Sequence, residues 1–495
     1  MNHNYKQLRR GAVAFGALMI GLAPPGWGFD SGSTSADGAF SPTVDTTVDL
    51  PVDGVFNFTT VTIPSGVTVR FNKNTANTPV TFLVSGDVTI DGSINISGGA
   101  SSTVGAAGDG NQGDDGLPGI GGPGGFDGGR GGVPGNSIGA PGLGPGAGNQ
   151  ARGNNTSGTG CGGGGAGYSV TGANSSTSSS SNSPTVCDLS DKALGGNAYG
   201  VEILLPLIGG SGGGGASAGT AFGGSGGGGG GGAILIAASG TVTVNGAINA
   251  NGGESGNSAG SLEGGTGGGG SGGAVRIVAT TLTGNGPITA NGGNRGISAT
   301  TSRGYGGKGS TGRIRLEADI YTRTTPTSPN FSFAVPQDIF VAGLPNLRIT
   351  SVAGVAAPAS PTGDEDIVLA ESTPNPVTVE FATTGVPVGN TVALTVTPSS
   401  GSAVRVVSAA ITGAEAAGVT SVSVDLPDGP SVLSAEVSFT VTVAMREQFD
   451  YSRFAKGEPV ERIRLSIDPA LGSLTTLMTA IGNEYTWPTS VFAIN

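Results

Sequence analysis

The sequence predicts an all-β protein: a parallel β-solenoid with long glycine-rich loops, followed by an immunoglobulin-like β-sandwich. Three observations carry that prediction. Segments 79–100, 233–254 and 274–294 (PVTFLVSGDVTIDGSINISGGA, AILIAASGTVTVNGAINANGGE and AVRIVATTLTGNGPITANGGN) repeat one pattern of strand, break, Thr-rich strand, Gly-containing turn, short strand and Gly-Gly. Glycine supplies 97 of 495 residues, far above the usual share of about 7 %, and it gathers in loops that leave each repeat at the same place. Beyond residue 344 the chain changes to short alternating segments separated by turn signals.

Residues 1–28 read as an export signal. Lys6, Arg9 and Arg10 precede the apolar run 11–23, which is too short to span a bilayer, and Gly26-Trp27-Gly28 offers a small-residue cleavage site. Phe29 then begins the mature chain. Its loss removes His3, the only histidine, and three of the 22 positive charges against 34 acids, giving a net charge of −15. Such a surface does not suit nucleic acid or anionic membranes.

Residues 29–321 are read as the solenoid, with an insert over 98–232. A fourth segment, GRIRLEADI (312–320), repeats only the opening strand, and the later copies start at Ala233, Ala274 and Arg313, spaced by 41 and 39 residues. That is a repeat architecture. Alternation in TVTVNGAINA puts Val242, Val244, Ile248 and Ala250 on one inward face and Thr241, Thr243, Asn245 and Asn249 outside. One unit cannot bury its apolar face alone, whereas stacked units bury one another's. A β-sandwich with long loops is the alternative.

The glycine tracts admit three readings. In GNQGDDGLPGIGGPGGFDGGRGGV, glycine recurs every third residue from Gly110 to Gly131. A flexible linker, a collagen-like trimer and ordered threefold helices of polyglycine-II type are all compatible with tracts of this kind. The phase breaks at Pro134-Gly135 and proline is sparse, which disfavours collagen. Ordering each glycine costs roughly 0.5–1 kcal/mol more than ordering alanine, so order demands dense packing with every backbone group paired. Threefold helices without Cβ atoms allow that, and ordered packing is the preferred reading. Cys161 and Cys187, the only cysteines, are expected to form a disulfide in an exported chain.

Residues 322–344 are read as a linker and 345–445 as the sandwich, from LRITSV, VTVEFAT, TVALTVTP, AVRVVSAAI, TSVSVDL and EVSFTVTVA. The Cys…Trp…Cys pattern is absent there. Residues 446–495 add VERIRLSI and LTTLMTAI and are expected to form a small C-terminal β cap.

Little in the sequence suggests chemistry. Without histidine the mature chain builds no Ser-His-Asp or Cys-His nucleophile and no His-based metal site, and Gly307-Lys308-Gly309 does not match a Walker lysine. No catalytic, cofactor-binding or metal residue is assigned, and no cofactor is expected. Asp87, Asp91, Arg276, Arg313, Arg315, Glu317 and Asp319 are expected to be solvated charges on an outer strand face, although a polysaccharide lyase would use groups such as Arg276 and Asp91. Asp364-Glu365-Asp366 is read as a charged loop tip rather than a calcium site, and Asp114, Asp115 and Asp127 in the glycine track are compatible with weak Ca²⁺ binding. Thr241/Thr243 and Thr281/Thr283 form outward Thr-x-Thr pairs of the kind that can match ice, but only two copies carry them.

The repeat GGGGG-A-I-L-I…T-V-T-V-N-G-A-I-N-A-N-G-G resembles secreted glycine-rich β-solenoid proteins of Gram-negative bacteria. Its tracts resemble the polyglycine-II sandwich of phage tail-fibre adhesins, over roughly residues 50–320. The 345–445 segment resembles immunoglobulin-like modules appended to such proteins. The resemblance implies a non-enzymatic, secreted or cell-surface structural protein or adhesin, with extracellular polysaccharide or cell-surface components as partners. A lyase-type enzyme and an ice-binding protein are the alternatives. No transmembrane span, sorting signal or translocator barrel is read in the sequence, and it leaves the oligomeric state open.

Overall fold

A computed structural model describes residues 28–51, 53–102, 116–151, 160–176, 193–257, 264–296, 304–337, 339, 345–358, 366–455, 458–468 and 472–489. Their regular secondary structure is almost entirely β, in two parallel and two antiparallel sheets. The expected export signal, apart from Gly28, and Cys187 lie outside them.

The first region runs, in chain order, through β1 (Gly38–Phe40), β2 (Thr46–Asp49), β3 (Val55–Ile63), β4 (Thr68–Asn72), β5 (Val80–Val84), β6 (Val88–Ile90), β7 (Ser93–Asn95), β8 (Ala233–Val244), β9 (Ala247–Asn249), β10 (Ala274–Thr283), β11 (Ile288–Thr289), β12 (Arg313–Tyr321) and β13 (Ser332–Ala334). One sheet has the order β1-β3-β5-β8-β10-β12-β13, with β6 pairing β3 and β8, and the other has the order β11-β9-β7-β4-β2. Pairing is parallel throughout, and it follows the sequence repeat: Ala274 faces Ala233 on one side and Arg313 on the other.

Inward alternation builds the core between the two sheets. Val242, Val244, Ile248 and Ala250 are fully buried there with Ile90, Ile94, Ile277, Leu282 and Ile288, as the alternation predicts. Two features of this region were not expected. Residues 38–72 contribute four strands ahead of the first recognised copy, and their phenylalanines cluster on Phe82 of β5, with Phe58 and Phe82 meeting at 5.2 Å. Residues 332–334, read as linker, instead pair with β12 and add a last strand. Ser328 also exchanges backbone bonds with the β11 segment (Ser328 N to Ile288 O, 3.0 Å; Ala290 N to Ser328 O, 2.7 Å), so this stretch covers an edge that would otherwise be open.

The glycine tracts between these strands are ordered by hydrogen bonds to one another. In 224–232 the amides donate in rotation. Gly227, Gly228 and Gly229 bond the carbonyls of Gly129 (2.8 Å), Gly268 (2.9 Å) and Gly99 (3.0 Å); Gly230, Gly231 and Gly232 then return to Phe126, Ser271 and Ile96 of the same three segments. The carbonyls accept in the same rhythm, from Gly119, Gly213 and Gly253 and then Gly122 and Gly210. Direction therefore repeats every three residues, as in a threefold helix, and the tract has six neighbours. A Cβ on Gly227, Gly228 or Gly268 would strike the carbonyl of Gly213, Gly253 or Gly164.

This accounts for the period-three run. Its described part folds back at Pro123-Gly124, where Gly124 has φ +72°. Gly125, Gly128 and Gly131 donate to Gly122, Gly119 and Gly116, and Gly119 and Gly122 donate onward to Gly227 and Gly230. All of these partners belong to the same chain, so this packing needs no trimer.

The second region comprises β14 (Asn346–Val352), β15 (Val355–Ala356), β16 (Val377–Thr384), β17 (Thr391–Pro398), β18 (Val404–Ala410), β19 (Thr412–Ala414), β20 (Ala417–Val424), β21 (Ser431–Thr440), helix α1 (Val443–Gln448), β22 (Val460–Asp468), β23 (Gly472–Thr479) and β24 (Glu484–Pro488). Its sheets have the orders β15-β14-β16-β20-β19 and β18-β17-β21-β22-β23-β24, all antiparallel. Val379 and Phe381 of one sheet share a buried core with Leu394, Val437, Phe439 and Ile463 of the other. Strands β22–β24, expected as a separate cap, continue the sheet of β21. The strand expected over 436–444 stops at Thr440, because Thr442 caps α1 by accepting from Met445 N at 3.3 Å.

Candidate functional site

The charges on the parallel sheet are the clearest correction. Arg276, Arg315 and Glu317 were expected in solvent, yet Glu317 is 0 % exposed, Arg276 2 % and Arg315 8 %. Glu317 accepts from Arg276 Nε (3.0 Å) and Arg315 Nε (2.7 Å), and its second oxygen accepts from Gln337 N at 2.8 Å. The cause lies far away in sequence. On the outer face of β5, β8 and β10, the insert residues Phe126, Tyr168, Tyr199, Leu204, Leu207 and Ile208 pack against Leu83, Leu235 and Val278. A charge covered in this way is retained only when paired. Tyr168 donates to Ile208 O at 2.8 Å and Tyr199 to Gly209 O at 2.5 Å, and burial pushes both phenols well above their ordinary range.

The other charges hold local structure. Asp91 accepts from Asn245 Nδ2 (2.8 Å), Asp87 from Thr241 N (2.7 Å), and Asp127 from Lys73 Nζ (3.0 Å) and Gly121 N (2.7 Å). Asp91 and Arg276 do not come together. Asp91 bonds Asn245, whereas Arg276 pairs in register with Leu235, ten positions earlier on that chain. Arg313 donates from Nε to Gly200 O at 2.9 Å, and Asp319 is exposed. Asp114, Asp115, Asp364 and Glu365 lie outside the described residues. No metal-holding group of three His, Cys, Asp or Glu occurs among the described residues, and no helix there is long and apolar enough to cross a membrane. Cys161 is buried and 1 % exposed; the expected partner, Cys187, lies outside the described residues.

The outward threonines extend further than the sequence suggested. Thr62 pairs in register with Thr89, Thr89 with Thr243 and Thr243 with Thr283, and Thr322 Oγ1 lies 2.8 Å from Thr283 Oγ1. The ladder crosses five strand positions because residues 55–63 and 322 extend it at either end. A second column holds Thr241 beside Thr281.

A cleft of about 630 Å³ opens where the glycine segments leave the repeats. Corresponding corners of successive repeats line it: Ala100-Ser101, Glu254 to Asn257, Asn294 to Gly296, and then Tyr305 and Lys308. Its buried floor is tied by serine hydroxyls. Ser101 Oγ donates to Gly226 O (2.6 Å) and accepts from Gly256 N, while Ser255 Oγ accepts from Gly296 N (2.5 Å). At the rim, Asn294 Nδ2 donates to Glu254 Oε1 (2.9 Å), Arg295 donates to Ser176 Oγ (3.0 Å), and the Arg295 guanidinium stands 4.8 Å from the Tyr305 ring centre. Sequence reasoning missed this site. Its signal was the alignment of Asn251-Gly-Gly-Glu254 with Asn291-Gly-Gly-Asn294, one repeat apart.

No protein family, curated protein or solved structure matches this chain.

Proposed function

We propose that the chain is a non-enzymatic structural protein or adhesin of the cell surface or extracellular space. On this reading the first region is a parallel β-solenoid, its corner inserts pack as a polyglycine-II block, and an immunoglobulin-like sandwich follows. The carrying observation is the six-neighbour lattice around 224–232. A tract held by lateral backbone bonds to six neighbouring segments makes a stiff body, suited to contacts with glycan, matrix or neighbouring subunits. The buried charges support the same reading, because Arg276, Arg315 and Glu317 are consumed in holding strands and cover together. Fractionation of producing cells, with mass spectrometry of the N-terminus, tests it. The expected result is a chain beginning at Phe29 in the surface or medium fraction. A full-length cytoplasmic chain with Met1 intact would contradict the proposal.

Ice binding is a second reading, favoured by the five-position threonine ladder. It predicts thermal hysteresis that falls on changing Thr243 and Thr283 to Val. Absence of hysteresis at millimolar protein would remove it. No observation favours the lyase reading, since Asp91 and Arg276 are held in separate places.

A further inference from the structure

We propose that the corner cleft binds a carboxylate-bearing oligosaccharide, a uronate chain, with Arg295 as its anchor. The assignment rests on the scaffold-adhesin reading and names the ligand class of that scaffold's contact surface. Four properties of the cleft point to it.

The first is size and shape. About 630 Å³ falls within the roughly 300–1,000 Å³ of small-ligand sites. The floor crosses successive repeat corners, and adjacent parallel backbones lie about 4.8 Å apart. It is therefore broader than one sugar ring, which favours an oligomer over a free small acid.

The second is charge. The chain carries −12 overall, yet among the described residues that line this cleft Arg295 and Lys308 stand against one acid, Glu254. Glu254 already accepts from Asn294. A local cationic excess favours an anionic partner.

The third is geometry. A guanidinium offers five N–H donors in a planar fork matched to a carboxylate. Here it is pre-positioned by the Tyr305 ring and the Ser176 hydroxyl, which lowers the ordering cost on binding. Lys308 adds a point charge at the same rim.

The fourth is the polarity of the remaining wall. Asn257 and Asn294 supply amides, and Ser101 and Ser255 lie in the floor. Such a wall suits hydroxyl-rich rings better than an apolar ligand. The floor is rigid because its serine hydroxyls are tied to neighbouring backbones.

Titration calorimetry of the full chain with hexagalacturonate tests this, with cellohexaose and a sulfated oligosaccharide as comparators. The expected result is binding of the uronate, weakening as salt rises, and at least tenfold tighter than either comparator. Arg295→Ala should weaken it at least tenfold and Lys308→Ala less, while Arg295→Lys, which keeps charge without the fork, should restore only part. Both positions are exposed, so melting temperatures should stay unchanged. Lack of uronate binding at millimolar ligand, preference for the sulfated or neutral chain, or an unaltered affinity in Arg295→Ala would each overturn the assignment. A wild-type chain attached to the producing surface but indifferent to uronate would overturn the cleft and leave the scaffold reading standing. A chain confined to the cytoplasm that still binds through Arg295 would support the cleft and overturn the surface reading.

Discussion

Around 224–232, a Cβ at Gly227, Gly228 or Gly230 would collide with a neighbouring carbonyl; at Gly354, Gly389 and Gly482 in the antiparallel region, nothing lies within 4 Å of where it would stand. Those three glycines have φ of +77°, +87° and +88° and serve turns. The same residue thus has two uses. In the block it permits close approach of backbones, and in the antiparallel region it permits a backbone angle. The two regions divide likewise over what fills the interior. Val379, Phe381, Leu394 and Phe439 occupy the antiparallel core, whereas the block is filled by peptide groups bonding laterally.

Substitutions can break this comparison. The largest effect is expected outside the lattice, where side chains hold the parallel sheet to its cover. Glu317→Ala leaves Arg276 and Arg315 buried together and should cost about 3–5 kcal/mol in denaturant unfolding. Next, Gly228→Ala should cost about 3 kcal/mol, the upper range for overpacking, because the obstacle is backbone and cannot rotate away. If it melts like wild type, the close packing of the block is wrong.

An alkaline titration gives a further test. Tyr168 and Tyr199 resist ionisation when folded because they are buried. Unfolded phenols ionise near pH 10. Their stabilising contribution is therefore complete below about pH 10 and declines above it, by up to about 1.4 kcal/mol per phenol per pH unit. Tyr168→Phe should flatten that decline; an unchanged profile would mean the cover over β8 and β10 opens readily. The smallest effect belongs to Gly389→Ala, about 1 kcal/mol, since only the left-handed angle is strained and space is free.

What could be read from the sequence divides along the same line. The inward faces of β8 to β11 followed from alternation, because Val242, Val244 and Ile248 recur with a local period. The threefold glycine rhythm likewise announced threefold geometry. The burial of Arg276 and Glu317 did not follow, because their cover comes from residues 199–208 and from Gln337, outside the repeat and without periodicity. Strands β1 to β4 were missed because residues 38–72 lack the Asn-Gly-Gly corner that marks the later copies. The cleft was missed because its lining is gathered from segments between Ala100 and Lys308, and no single stretch looks like a site.

Hydrogen exchange resolved to residues 224–232 and 264–273 addresses the central claim directly. If these amides are bonded to six surrounding segments, they should exchange as slowly as those of β8 and β10, over hours, and far more slowly than the turn at Gly389. Exchange within seconds, at the rate of a free glycine linker, would contradict the lattice and the stiff scaffold built on it.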